Sequence, residues 1–341
     1  MSNWQVQKIK KYILYGQGDV LLRTADFLNS NHYNFAIFTA PRQKDNKLGK
    51  HSFEEILQNR GYPYSVIENL QDIEALESVV GNGALGLSFG AAWIFKDDVI
   101  NLHDCGLVNF HGTCLPRDRG GGGFSWRILN NNRIGYSTVH IVTESVDAGP
   151  ILMSEEYIFP EDCYTPKDYQ NFAINQEVTF VKQFLNKCEH GFIFDLNYQN
   201  DYLGTYWPRL STKKQGWIDW SWDKDDIIQF IRAFDDPYPG AMSKIRDEVV
   251  YLKSAFAHTE DGDFHPFQSG IIYRKSGNGI YVASLGGSIF VSSVTNDENV
   301  NMLSRIDVGD RFWTPQKMLE MAKKTRVRYT PTQMIETKKF D

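Results

Sequence analysis

Short apolar runs alternate with amphipathic segments through the first half of the chain. Ser52 precedes Phe53, Ile56 and Leu57, whose spacing is helical, so Ser52 is expected to cap a helix. A second helical segment covers residues 20–28. The apolar runs that predict strands are residues 12–15, 34–39, 65–67 and 84–88. This alternation predicts an α/β domain, in which a mostly parallel sheet is covered by helices.

The same alternation continues to about residue 191. Leu107–Phe110 and Tyr136–Val142 predict two further strands. Thr165 followed by Pro166 is a favourable helix start, and Gly191 ends the helix that they begin.

The second half of the chain changes to short strands. One helix is predicted over Asp225–Phe234, and apolar runs separated by glycine-containing turns follow at residues 249–252, 270–273, 279–283 and 288–291. That pattern is typical of a small barrel or sandwich. We therefore predict an α/β domain over residues 1–203, a small β-rich domain over residues 204–315 and a basic tail over residues 316–341.

Composition and charge narrow the function classes. Hydrophobic residues make up 42% of the 341 residues, which is too apolar for a disordered chain. The net charge of −6 argues against a dedicated nucleic-acid binder. Four cysteines without a CxxC pair suggest reduced thiols and a cytoplasmic location, and the glycine-rich stretch 78–95 is too short to span a membrane.

Polar side chains concentrate where the strand at Leu107–Phe110 ends. Asn109 and His111 are two residues apart, so they share one face of this strand at the carboxyl edge of the sheet. An amide donor beside an imidazole can stabilise an oxyanion and move a proton. Asn-x-His alone is also common in turns without any function.

Asp147 strengthens this interpretation. It follows the strand at Tyr136–Val142, and its loop would lie beside Asn109 and His111 if the two strands are neighbours. A carboxylate brought to that pair would supply a base and orient the imidazole. The alternative is an ordinary turn residue before a glycine.

Two rival sites use the same region. His103, Cys105, His111 and Cys114 could together hold zinc, but the intervening strand would separate the two pairs by about 17 Å. Cys114 served by His111 is a candidate nucleophile, for which only nearby arginines would lower the thiol pKa.

The stretch from Asn109 to Gly120 resembles the N-x-H…LLP-x-x-RG core of the formyltetrahydrofolate-dependent formyltransferases. Residues 135–140 and the turn at residues 147–151 resemble the T-x-H and D-x-G-x-I segments of that family. Residues 206–209, 216–220, 231–241 and 309–315 resemble its second domain, in particular the sugar N-formyltransferase branch. The resemblance implies a Rossmann-like, mostly parallel formyltransferase domain followed by a small OB-like β-rich domain. Cys114 and the glycine-rich run 120–123 depart from the family pattern.

What the resemblance implies for function is specific. The catalytic trio maps onto Asn109, His111 and Asp147, with N10-formyltetrahydrofolate as the co-substrate and no metal. The residues implied in folate binding are Phe89, Gly90, Trp93, Ile94, Phe95, Thr143, Val146 and Asp147. The candidates for binding a nucleotide-linked amino sugar, a precursor of cell-surface glycans such as lipopolysaccharide O-antigen, are Arg119, Gly120, Arg209, Arg232 and Tyr238.

Several alternatives stay open from the sequence. Methionyl-tRNA is the second candidate acceptor, and a basic lip at residues 41–50, which carries Arg42, Lys44, Lys47 and Lys50, would favour it. A hydrolase that releases formate and a non-catalytic folate- or zinc-binding module are further alternatives. Trp220 and Trp222 fit either a core or the contact of a homodimer.

Overall fold

The computed structural model describes residues 3–120, 123–329 and 334–337. The strands up to residue 207 are β1 (Asn3–Gln5), β2 (Lys11–Gly16), β3 (Phe35–Thr39), β4 (Lys47–Leu48), β5 (His51–Ser52), β6 (Tyr64–Val66), β7 (Ala84–Phe89), β8 (Leu107–His111), β9 (Arg119–Gly120), β10 (Ile134–Ile141), β11 (Ile151–Ile158), β12 (Ile193–Asp195) and β13 (Tyr206–Trp207). The helices in the same part are α1 (Asp19–Ser30), α2 (Pro41–Lys44), α3 (Phe53–Arg60), α4 (Ile73–Val80), α5 (Asp97–Ile100), α6 (Gly123–Leu129) and α7 (Pro166–Glu189).

These strands form a central sheet with the order β11-β10-β8-β7-β2-β3-β6. The neighbours from β8 to β6 pair in parallel, whereas β10 is antiparallel to both β8 and β11. Every residue of β3 and β7 is buried, because apolar residues on both faces of the sheet are covered. The prediction of a mostly parallel α/β sheet is confirmed.

Two helix starts follow the predicted capping chemistry. Ser52 Oγ accepts the Glu55 N–H while the Glu55 carboxylate accepts the Ser52 N–H, which is a capping box for α3. Thr165 and Asp168 make the same reciprocal pair at the start of α7. Both of these predicted helix starts are confirmed.

The remaining elements belong mainly to the second half of the chain. They are α8 (Thr212–Gln215), α9 (Lys224–Ala233), β14 (Ala241–Ile245), β15 (Glu248–His258), β16 (Ile272–Ser276), β17 (Gly279–Ser284), β18 (Gly287–Thr295), β19 (Phe312–Trp313), α10 (Gln316–Lys324), β20 (Arg326–Tyr329) and β21 (Met334–Thr337). Strands β14 to β19 form an antiparallel sheet with the order β16-β17-β18-β15-β14-β19, as the predicted β-rich domain requires.

One apolar core joins the two halves. Ile128 on α6 and Phe159 after β11 belong to the same buried cluster as Ile231 on α9 and Phe312 on β19. Trp220 stacks on Phe312, with ring centroids 5.5 Å apart, so its ring is part of this core. The domain boundary at residue 203 stays a prediction, since packing is continuous across it.

The predicted basic tail begins with a helix, α10, and continues into β20. Its residues 330–333 and 338–341 lie outside the described part of the chain, as do Gly121 and Gly122 of the glycine-rich run. Among the described residues, no helix combines the length and the hydropathy needed to cross a membrane.

Glu177 on α7 is half-buried, and its carboxyl group lies beside Gly112, the residue that follows His111. A Cβ atom placed on Gly112 would stand 2.9 Å from Glu177 Oε1, so the glycine makes room for this carboxyl. Burial raises the pKa of Glu177 from 4.5 to about 7. A half-buried carboxyl group with a raised pKa destabilises the folded state when it ionises.

We expect Glu177→Gln to stabilise the protein at high pH. The folded state holds the Glu177 proton up to about pH 7, whereas the unfolded state loses it near pH 4.5. Stability is therefore lost as the pH rises through this window, by on the order of 2–3 kcal/mol. Thermal unfolding at pH 4.5 and pH 8 should show a higher Tm for the variant only at pH 8. Exposed Glu298→Gln is the control, and an equal gain at both pH values would contradict the prediction.

Candidate active site

Strand β8 presents two of the predicted site residues on one face. Asn109 and His111 lie near its carboxyl end, and His140 of β10 is the antiparallel partner of Asn109. Asn109 Nδ2 lies 3.1 Å from His140 Nε2. The structure therefore adds His140 to the predicted pair.

Asp147 lies beside this group, and the loop that carries it follows a strand antiparallel to β8. Because β10 runs antiparallel to β8, it ends beside the start of β8, with Ile141 opposite Val108. The following loop folds back over the sheet to bring Asp147 to the site. Its Oδ1 lies 3.4 Å from Asn109 Nδ2, 3.8 Å from His111 Nδ1 and 3.7 Å from His140 Nε2.

Two features hold this loop in place. Gln199 Nε2 donates to the carbonyl oxygens of Asp147 and Gly149 at 2.9 and 2.7 Å. A Cβ on Gly149 would stand 1.8 Å from the Ile141 carbonyl oxygen, so only glycine allows this approach. Asp147 itself has a left-handed backbone conformation with φ 51°. A strained residue held by such contacts is typical of a functional position.

The electrostatics give each group a definite charge state. Burial alone would raise the pKa of Asp147, but His111, His140 and the Gly120 N–H lower it to about 2. Burial lowers the pKa of His111 below 6.5, although the Asp147 carboxylate acts in the opposite direction. At neutral pH the site therefore holds an ionised carboxylate beside a neutral imidazole.

His140 orients the amide of Asn109. Its Nδ1 lies 2.9 Å from the Ile141 carbonyl oxygen, so Nδ1 carries the proton and Nε2 accepts from Asn109. The second amide hydrogen of Asn109 has only the 3.4 Å contact with Asp147. In the sequence, His140 is part of the T-x-H segment of the family resemblance but has no predicted role, since only the β8–β10 register places it opposite Asn109.

The predicted folate loop follows β7. Phe89 stacks on Phe110 with ring centroids 4.9 Å apart, and Phe95 packs edge-on against Tyr15 in the core. Trp93 Nε1 donates to the Glu68 carbonyl. These three side chains are used in packing, so any role in folate binding falls to their backbone.

Other predicted folate residues lie at the surface. The side chains of Ile94 and Val146 are exposed, and the Thr143 hydroxyl donates to the Ser145 carbonyl. Lys96 and Glu144 connect the two loops through an ion pair of 3.6 Å. The exposed apolar side chains therefore belong to neighbouring loops, as a shared ligand site requires.

Two buried polar atoms at this site have no hydrogen-bond partner among the described residues. One is His111 Nε2 and the other is Gln43 Oε1. Gln43 follows β3 in the chain, and its Nε2 donates to the Gly90 carbonyl at 2.8 Å. Unpaired buried polar atoms are costly unless a ligand satisfies them, so these residues fit a polar ligand such as the predicted folate. Nothing in the sequence around Gln43 indicated this contact.

We expect Gln43→Leu to raise the KM for the folate about tenfold and to leave kcat within about twofold. The substitution removes the hydrogen bond that anchors Gly90, which is worth about 1–1.5 kcal/mol. Gln58→Leu, which removes an exposed amide bonded to Tyr64, is the matched control. The measurement is steady-state kinetics with varied folate. An equal KM for the folate in Gln43→Leu and Gln58→Leu would contradict the prediction.

Two predicted acceptor residues lie beside Asp147. The N–H of Gly120 contributes to the low pKa of the Asp147 carboxyl. Arg119 Nη2 donates to Gln199 Oε1 at 2.9 Å and pairs with Asp201 at 3.0 Å. β9 pairs in parallel with β13, and this pairing requires Gly120, since a Cβ there would stand 2.6 Å from the Trp207 carbonyl oxygen.

The other three acceptor candidates are placed elsewhere. The Arg232 guanidinium stacks 4.4 Å from the centre of the Tyr164 ring and its Nε donates to the Ala255 carbonyl, which favours a structural role. Arg209 is bridged to Val327, and Tyr238 follows the buried Asp235. The described contacts of Arg232 are with Tyr164, Phe256 and Ala255, away from Asp147, whereas the roles of Arg209 and Tyr238 stay predictions.

The zinc alternative lacks a site in the described residues. His103 is buried, and its two ring nitrogens lie 3.0 Å from the Val99 carbonyl and 3.1 Å from the Tyr15 hydroxyl. No group of three His, Cys, Asp or Glu side chains with metal-binding geometry occurs in the part of the chain that the structure covers.

Comparison with known proteins now adds to this geometry. The family model of the formyl transferase C-terminal domain matches residues 210–304. Over these residues the chain is similar to that family. The matched residues cover α9 and the strands from β14 to β18, and the match ends before α10.

Most of the chain is similar to formyltransferases matched over nearly their whole length. Methionyl-tRNA formyltransferase of Clostridium novyi (strain NT) is 23% identical over 291 residues, which are 83% of this chain and 91% of that protein. WlaRD, a sugar 3N-formyl transferase solved with dTDP and 5-N-formyl-THF, has a TM-score of 0.63 at 16% identity, over 84% of this chain and 98% of that chain. The N-formyltransferase of Helicobacter canadensis, in complex with folinic acid and dTDP-3-aminofucose, has a TM-score of 0.61 at 18% identity, over 84% of this chain and 99% of that chain.

These comparisons confirm the predicted fold class and the predicted enzyme class, an N-formyltransferase. Both structural neighbours hold a folate, in agreement with the predicted folate co-substrate. The two groups of relatives differ in the acceptor that their names state.

Proposed function

We propose that this protein transfers a formyl group from N10-formyltetrahydrofolate to the amino group of a nucleotide-linked amino sugar. The observation that carries the chemistry is the convergence of Asn109, His111 and Asp147. Asn109 has an amide hydrogen held only by the long 3.4 Å contact with Asp147, His111 is a neutral imidazole and Asp147 is an ionised carboxylate. Bound folate supplies the formyl carbon, and the protein supplies the polar groups around it.

Each group has a distinct task in this proposal. Asn109, oriented by His140, donates a hydrogen bond to the formyl oxygen as negative charge develops there. His111, whose buried Nε2 has no hydrogen-bond partner among the described residues, passes a proton between the reacting groups in this proposal. Asp147 accepts the proton that the attacking amine loses, and a proton passes through His111 to N10 of the departing tetrahydrofolate, so that Asp147 is ionised again at the end of the reaction.

Three observations support a sugar acceptor. The structural neighbours named as sugar N-formyltransferases share the fold over nearly their whole length. The net charge of −6 is unfavourable for tRNA, whose binding depends on neutralising phosphates. In the basic lip, Lys44 is already paired with Glu54 at 3.0 Å.

Methionyl-tRNA is the second candidate acceptor. The observation in its favour is the similarity in sequence to methionyl-tRNA formyltransferases along most of the chain. The trio would perform the same chemistry on either amine, so the acceptor has to be found by assay.

A coupled assay tests the proposal directly. The purified protein is given N10-formyltetrahydrofolate with a panel of nucleotide-linked amino sugars, with methionyl-tRNA and with no acceptor. Release of tetrahydrofolate that depends on one amino sugar is the expected result. Release with tRNA alone would assign the second candidate, equal release without an acceptor would indicate a hydrolase, and folate binding without turnover would indicate a sensor.

A further inference from the structure

A large aromatic cavity lies between the two halves of the chain. Its volume is about 750 Å³, which is in the range of small-molecule sites. Three indole rings, those of Trp126, Trp217 and Trp222, line it together with Phe230. None of these residues has a role in the chemistry proposed above.

The C-terminal segment supplies one wall of this cavity. Leu319 and Ala322 of α10 line it, and they lie beyond residues 210–304, the part that matches the family domain. Gln215 Nε2 donates to the Thr325 carbonyl at 3.1 Å, which fastens the end of α10 to α8. The shape of the cavity is therefore a property of this chain and not of the shared domain alone.

A chain of contacts connects the cavity to the candidate active site. Trp126 lines both the large cavity and a smaller one of about 80 Å³, whose wall includes Arg119 and Gly120. Gly120 in turn approaches the Asp147 carboxylate through its N–H. Trp126 Nε1 donates to the Pro208 carbonyl at 2.8 Å, which fixes the indole between the two spaces.

The side chains that line the cavity indicate which class of ligand it can bind. Flat indole and phenyl faces bind planar heteroaromatic rings by stacking, whatever the base. Lys323 and Arg326 at the same cavity provide positive charge for phosphate oxygens, and Arg119 Nε in the smaller cavity is buried with no hydrogen bond to a described residue. An aliphatic ligand would use the apolar walls but none of these three cationic groups.

We propose that this cavity binds the nucleoside of the acceptor, with its base against Trp126, Trp217 and Trp222 and its phosphates directed towards Arg119 and the small cavity. This inference rests on the proposed function, because it assumes that the amine reaches Asp147. In this proposal, α10 determines which nucleotides fit the cavity, because its residues form one wall.

Filling the cavity tests the proposal without turnover. Ala322→Phe places a ring into it, while Met321→Phe adds the same ring on the exposed side of α10. The protein is titrated by calorimetry with UDP, dTDP, GDP, CDP and ADP, and separately with a C-C-A trinucleotide and with folinic acid. We expect at least one diphosphate to bind, Ala322→Phe to weaken it about tenfold or more, and Met321→Phe to change it less than about twofold. Folinic acid binding should be equal in all proteins.

A second variant covers the case in which Ala322→Phe does not fold. Trp222→Leu removes one stacking surface and should weaken the same diphosphate, again with folinic acid binding unchanged. Failure of every diphosphate to bind, equal binding by the cavity variants and the control, or binding of a C-C-A trinucleotide alone would overturn the proposal. Because these are binding measurements, the absence of formyl transfer in the coupled assay would contradict the proposed function without changing their outcome.

Discussion

Asn109→Ala is expected to lower kcat by about 10²–10³-fold while the protein stays folded. The substitution removes the amide that His140 orients and that lies 3.4 Å from Asp147 Oδ1. Loss of a single oxyanion donor has an effect of this size in other enzymes. The KM for the folate should change little, because the interaction strengthens only as charge develops.

The measurement is single-turnover formyl transfer with saturating folate and acceptor, together with circular dichroism and thermal unfolding. Asn171→Ala, on the exposed side of α7, is the control for loss of an asparagine amide. Activity of Asn109→Ala within tenfold of the wild type would remove Asn109 from the mechanism.

Gly149→Ala is expected to lower kcat/KM by about 10²-fold, although Gly149 carries no functional group. The added Cβ would stand 1.8 Å from the Ile141 carbonyl oxygen, so the loop has to move. Asp147 moves with it, and a displacement of about 1 Å at a catalytic group can reduce the rate by about 10²-fold.

A double-mutant cycle separates this effect from general damage. If Gly149 acts only by placing Asp147, then Gly149→Ala adds little further loss in an Asp147→Asn background. Gly277→Ala is the matched control, since nothing lies within 4 Å of a Cβ at that glycine. A full additional 10²-fold loss in the double mutant would show that the loop has another function.

The parts of the fold that follow local rules were predictable from the sequence. β2, β3 and β7 are continuous apolar runs because both of their faces are buried, and the caps of α3 and α7 use short-range hydrogen bonds. β11 was missed, since it is an edge strand whose central residues Ser154–Glu156 are exposed and charged or polar. Helix α10 was predicted only as part of a basic tail. Its apolar residues pack on Trp217 and Met242, which are far away in the sequence, so the local pattern did not show that this helix is packed.

The candidate site was predictable only in part. Asn109 and His111 follow from the alternation of one strand, and Asp147 from the loop after the next. The condition given for their meeting, that the two strands are neighbours, is met, although β10 is antiparallel to β8 and the loop folds back. Gln43, Gln199 and the register of His140 depend on contacts between distant segments, which no local pattern encodes.

Gln199 has a consequence for how such an enzyme can change its acceptor. Its amide bonds to the loop of Asp147 on one side and to Arg119 on the other, and it lies in the segment that leads to β13. Insertions or deletions in this connecting segment are the simplest way to reshape the space for a new acceptor. Here they would displace the carboxylate loop as well, so acceptor range and reactivity cannot vary independently. Variants selected for a new acceptor should therefore retain Gln199 and the length of the chain around it.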